Sequence, residues 1–159
     1  MVVNVEIVFS RTCGSCTACC THLPIPANVV AASPKAAGES CPHLCNAGCA
    51  IYRSRPAICA RFQCAWLANL DWPEEWRPEQ SGLLCLRELM EDGSPAALVS
   101  EVQPGALLEP VAQEILLHLL ENTRRVVVVA PDGSRHLMFG SYEPQAAPKR
   151  EMAPLRLVA

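Results

Sequence analysis

Long hydrophobic runs are missing from this chain. No segment approaches the roughly 20 apolar residues that a bilayer-crossing helix requires. The opening M-V-V-N-V-E-I-V-F-S has no basic n-region, carries Glu6 inside its apolar run, and is too short for a signal h-region followed by a cleavage site. The expectation is a cytoplasmic protein without a membrane partner, whose thiols stay reduced. A basic excess is missing too. Thirteen Lys and Arg stand against sixteen Asp and Glu, a net charge of −3, whereas a duplex-binding surface needs clustered cations. Only Arg53, Arg55 and Arg61 gather in one stretch, so nucleic acid is not an expected partner. No P-loop, G-x-G-x-x-G or Ser-His-Asp order occurs, which leaves nucleotide chemistry and triad hydrolysis without support.

Cysteine is what the chain has in abundance: ten in 159 residues, nine of them between Cys13 and Cys64. Crowded thiols mean either a disulfide framework or a metal site. Half of the residues are apolar, so a core can form without disulfides as a substitute, and the cytoplasmic expectation favours metal. The length suits one domain, or one domain with a small appended module.

The first cysteines read C-G-S-C-T-A-C-C. The steps Cys13 to Cys16 and Cys16 to Cys19 have the spacing of a metal knuckle, in which a tight turn brings two sulfurs to one ion. Cys20 follows Cys19 directly. Neighbouring side chains of extended chain point apart, so the pair can serve two different centres. Residues 23–40 hold three prolines and no clean period, and predict a loop. The next group is Cys41, Cys45 and Cys49, with His43 between them. Pro56 and the recurrence of Ile58, Phe62, Ala65 and Trp66 predict one short helix over about 56–69, carrying Cys59 and Cys64.

Beyond a Pro-bounded connector, which Trp72 and Trp76 would pin to the body, the character changes. Residues 82–90 and 96–102 read as strands joined by E-D-G-S-P. Glu109 and Pro110 open a helix over 110–122 with one broad apolar face. Residues 126–130 and 136–139 form a second strand pair about P-D-G-S. The predicted class is α+β: an irregular cysteine-rich metal-binding half with a short helix, then a small antiparallel ββαββ half. The predicted boundaries are 1–70, with a leading strand over 2–9, 71–142, and an extended tail over 143–159.

C-G-S-C-T-A-C-C, then C-P-H-L, G-C-A-I-Y-R-S-R-P-A-I-C and F-Q-C-A-W-L, together resemble the bacterial CxxCxxCC family, also called YkgJ-type cysteine-cluster proteins or zinc- or iron-chelating domains. The resemblance covers roughly residues 13–67, in a combination that chance rarely produces. A similar pattern occurs in flagellin lysine N-methylases, where it accompanies an iron–sulfur cluster. The resemblance implies Cys13, Cys16, Cys19, Cys20, Cys41, Cys49, Cys59 and Cys64 as metal ligands. Cys45, which matches only a subset of the family and here follows Leu44, is kept as a ninth metal candidate.

Ligand counting points to two centres, or to one multinuclear centre with bridging thiolates. A tetrahedral zinc and a [4Fe–4S] cluster each take four ligands, and nine cysteines with His22 and His43 nearby exceed that. All-sulfur ligation excludes calcium and magnesium and favours zinc, iron–sulfur or Cu(I). Zinc is preferred and a [4Fe–4S] cluster in electron transfer, or supporting a modifying enzyme, is the alternative; metal storage or delivery is a third. Binding is favoured over catalysis, because zinc saturated with thiolates has no open position for water. A protein partner would use the C-terminal half. Cys85, between Leu84 and Leu86, is expected to be a core thiol; His118 and His136 are expected to be ordinary. Arg53, Arg55 and Arg61 are candidates for offsetting thiolate charge.

Overall fold

The computed structural model describes residues 11–130 and 132–140; the predicted leading strand over 2–9 and the tail over 143–159 lie outside them. The chain is α+β, with a cysteine-rich N-terminal half that has little regular structure and a C-terminal half built on a four-stranded sheet.

The C-terminal half follows its hydrophobic patterning closely. Strands β3 (Leu83–Leu89), β4 (Pro95–Glu101), β5 (Arg125–Val129) and β6 (Arg135–Phe139) lie side by side in that order. The two outer pairs are antiparallel hairpins. The central pair is parallel, with Ala97 opposite Val126 and Val99 opposite Val128, so the sheet is mixed and the predicted all-antiparallel arrangement is corrected. The reason is the connection: helix α5 (Pro110–Asn122) carries the chain back along the sheet, so that β5 starts at the end where β4 started, which is a βαβ unit. The helix itself has the predicted bounds. Pro110 occupies its first turn, where a missing N–H costs nothing, and Ala112, Ile115 and Leu119 are buried at the spacing of one helical face.

Both hairpin turns contain Asp-Gly-Ser and are built alike. Ser94 N–H donates to Asp92 Oδ1 and Ser134 N–H to Asp132 Oδ1, each at 2.9 Å. Leu83, Val99, Ile115 and Val126 are fully buried in the core, each worth about 1.5–3 kcal/mol of transfer free energy. Cys85 is 4% exposed within that core and is a core thiol, as expected.

The connector also packs as expected. Trp72 and Trp76 are buried with ring centroids 5.2 Å apart, edge to face, and His118 of α5 lies 5.7 and 5.1 Å from them. Helix α4 (Pro78–Ser81) then leads into β3.

The cysteine-rich half contains α1 (Ala18–His22), a minimal hairpin of β1 (Leu44–Cys45) and β2 (Gly48–Cys49), a 3-10 turn over Tyr52–Ser54, α2 (Ala57–Arg61) and α3 (Ala65–Ala68). The predicted single helix over 56–69 is two helices. Phe62 and Cys64 take extended backbone, with ψ of 132° and 166°. Tertiary packing overrides the local period: the break turns Trp66, 5% exposed, into the core while α3 packs on β3. Loop 23–40 is held by one bridge, in which Ile25 and Lys35 exchange backbone hydrogen bonds of 2.9 Å.

Candidate functional site

Nine cysteines reach the cysteine-rich half from three segments, and all ten in the chain are free. The first segment turns at Cys13, where Cys16 N–H donates to Cys13 O at 3.0 Å, the tight turn that the C-x2-C spacing predicted. Gly14 sits inside it at φ +57°. A Cβ there would lie 2.8 Å from Arg77 Nη2, so the left-handed backbone and the close approach of the guanidinium both call for glycine. The turn runs into α1, which carries Cys19 and Cys20. They are neighbours on a helix rather than on extended chain, so their side chains diverge by about 100°; their sulfurs are 4.0 Å apart.

Seven of the cysteines line one cavity of about 430 Å³: Cys13, Cys16, Cys19, Cys20, Cys41, Cys49 and Cys59. A second, smaller cavity of about 20 Å³ adjoins it and is lined by Cys13, Cys16, Cys19 and Cys64, together with Phe62, Trp66, Leu67 and Leu84. The two cavities share Cys13, Cys16 and Cys19. Cys41 is brought against α1 by its own N–H, which donates to Cys20 O at 2.9 Å. The β1–β2 hairpin sets Cys49 opposite Leu44. Cys45 lies on that hairpin, is exposed, and is among the lining residues of neither cavity.

His43 lines the larger cavity, with Nε2 3.0 Å from Val30 O; that nitrogen donates to the carbonyl, and only Nδ1 remains as a donor to a metal. His22 lines neither cavity, and burial lowers its pKa.

Sulfur protonation follows burial and neighbouring charge. Burial pushes the Cys13, Cys16 and Cys59 thiols up, with Cys64 adding to the effect at Cys13 and Cys16, and Cys20, Cys41 and Cys49 adding to it at Cys59. Cys19 and Cys20 split in opposite directions. Cys20 is pushed down to about 6, first because Cys19 donates its S–H to it and then because the Lys35 ammonium lies near; giving that hydrogen bond, with burial, pushes Cys19 up.

Four cations serve this region, and sequence reasoning found one of them. Arg55 lines the larger cavity with its guanidinium 3.9 Å from the Tyr52 ring centroid, whereas Arg53 and Arg61 are exposed away from it. Lys35 is 5% exposed, and its Nζ donates to Leu23 O at 2.5 Å, Ala36 O at 3.2 Å and Thr21 O at 3.3 Å. Arg77 donates to Cys13 O at 2.5 Å. Arg11 donates to the carbonyls of Trp66, Asn69 and Leu70, each at 2.8 Å, and of Trp72 at 2.5 Å; Trp66 O is one that the end of α3 leaves free, and the others lie in the chain just after it. Both guanidiniums lie over Trp66, at 4.4 and 5.3 Å. Lys35 sits in a Pro-rich loop and Arg77 in the connector; no spacing rule reaches either.

The donor set suits a soft ion. Thiolates select zinc, Cu(I) or an iron–sulfur cluster, and the nearby cations would offset the net −2 that four thiolates leave on a Zn²⁺ held there. Among the described residues, no three Cys, His, Asp or Glu side chains are already drawn together closely enough to hold one ion. The sulfurs share a space, and ligation requires them to close upon it. Little resists such closure: in residues 11–64 only Ala18, Lys35, Cys41 and Gly48 are buried.

Among the described residues no helix is long and apolar enough to cross a membrane. Compared with protein-family models, with curated proteins and with solved structures, the chain finds no match.

Proposed function

We propose that the chain is a thiolate metal-binding protein of the bacterial CxxCxxCC type, acting in the cytoplasm, in which zinc organises the cysteine-rich half. The observation that supports it is that eight free cysteines from three separate segments border two adjoining cavities. Ligation supplies the stability that buried apolar groups do not, as in small domains whose metal-binding free energy is their folding free energy. Saturated thiolate zinc is a binding and structural centre rather than a hydrolytic one.

One observation favours a second reading. A cavity of about 430 Å³ has room for more than one ion, which suits a [4Fe–4S] cluster in electron transfer. Anaerobic purification of the full chain, followed by zinc, iron and sulfide analysis, separates the two. Zinc without iron or sulfide is the expected result. A brown protein with equal iron and sulfide selects the cluster, and a protein that binds neither refutes both.

A further inference from the structure

We infer that the eight cysteines divide into two adjoining four-thiolate centres, Cys13, Cys16, Cys19 and Cys64 around the smaller cavity and Cys20, Cys41, Cys49 and Cys59 in the larger, with the neighbouring Cys19 and Cys20 of α1 going one to each. The inference rests on the metal-binding reading and gives it a stoichiometry and an architecture.

The division follows from which sulfur borders which space. Cys64 borders only the smaller cavity, and Cys20, Cys41 and Cys49, with Cys59, border only the larger. Cys13, Cys16 and Cys19 border both, and joining Cys64 gives them the four ligands a tetrahedral ion needs. Cys20, Cys41, Cys49 and Cys59 are then a complete second set. The backbone divides in the same way. Cys13 and Cys16 close one turn on each other, and Cys41 N–H donates to Cys20 O. The break at Phe62–Cys64 serves the same end. On an unbroken helix Cys59 and Cys64 would share one axis about 140° apart; the extended link sends Cys64 to the Leu84 side instead, with Phe62 bordering both cavities.

The two spaces differ in what they admit. A cavity of about 20 Å³ holds little more than one water-sized sphere, for which roughly 10–15 Å³ suffices. The smaller centre is therefore mononuclear and too tight for a four-iron cluster, walled by Trp66, Leu67 and Leu84. The larger centre opens beside Tyr52, Arg55 and Ile58, of which Tyr52 and Ile58 are 40% and 52% exposed. It is the one from which metal exchanges.

The test is cadmium loading of the full-length protein, read by metal analysis and cadmium NMR. The expected result is two equivalents per chain and two resonances, both in the four-thiolate range. Cys64→Ser should move one resonance to the three-thiolate range and leave the other in place, and Cys59→Ser should do the converse. In the unsubstituted protein, which avoids any folding defect of the variants, a chelator should remove the two ions in two phases. One equivalent per chain, a single-phase release, or both resonances moving in each variant would overturn the division while leaving metal binding intact. Failure to bind cadmium, zinc or iron would overturn the metal-binding reading itself.

Discussion

Residues 11–64 and 65–140 lie in one chain, yet they are held by different means. The second stretch buries Leu83, Val99, Ile115 and Val126 completely and adds a Trp72–Trp76–His118 cluster. The first buries no large apolar side chain; its buried groups are a small residue or two, one thiol and a lysine. Apolar burial scales with area and needs no particular partner, so the sheet half is stable on its own account. The cysteine half lacks that source. What it has is a set of donors around a shared space, and such a set becomes rigid only when something binds it.

Metal removal, substitution and acid each break this contrast at a different place. Complete metal removal should unfold the first stretch and spare the second, since structural zinc contributes about 10–16 kcal/mol to small thiolate domains. Hydrogen exchange should show protection lost at the amides of Cys16, Cys41 and Ala50 and kept in β3 to β5. Simultaneous loss in both regions would show that the halves do not differ as described. Trp66→Ala should cost about 3–5 kcal/mol in urea unfolding of the sheet half, because Trp66 is 5% exposed in the core; a cost near zero would place it outside that core.

Gly14→Ala should act on the other side of the comparison. A left-handed backbone costs a residue with Cβ about 1–2 kcal/mol, and the Cβ also displaces Arg77, so metal affinity should fall about tenfold with the melting of the metal-free sheet unchanged. The smallest effect concerns Asp92, whose carboxyl is held well below the usual range by the Ser94 hydroxyl and then by Arg125, 2.8 Å away. A depressed folded pKa contributes stability that is present above the unfolded value near 3.8 and is lost as pH falls below it. Asp92→Asn should flatten the pH dependence of sheet unfolding below about pH 4 and leave neutral-pH stability nearly unchanged, because the pair is exposed.

How much of this was legible in the sequence varies between the same two regions. Helix 110–122 could be read to the residue, because Pro110 marks its start and the apolar spacing of Ala112, Ile115 and Leu119 has a single solution. Strand positions came within a residue. Strand direction did not, since a run such as V-V-V-V is the same read either way and only the returning helix orients it. The single helix over 56–69 failed because Trp66 packs better when the chain bends. At the site, cysteine spacing predicted the tight turn at Cys13–Cys16 but carried no information on which distant segment Cys64 would join. The buried Lys35 and the reach of Arg77 to Cys13 are products of tertiary packing, invisible to any local period.

Arg11 and Arg77 both lie over Trp66, and each is also bonded to backbone of the other stretch, Arg11 to Trp72 O and Arg77 to Cys13 O. The indole therefore behaves as a rivet through both halves. Heat that loosens the sheet slackens the first cysteine turn as well, and on the proposed metal-binding reading an ion gripping that turn would tighten the sheet in return. Thermal denaturation of a metal-loaded protein would accordingly proceed as a single concerted event, although only the sheet half has an apolar core of its own.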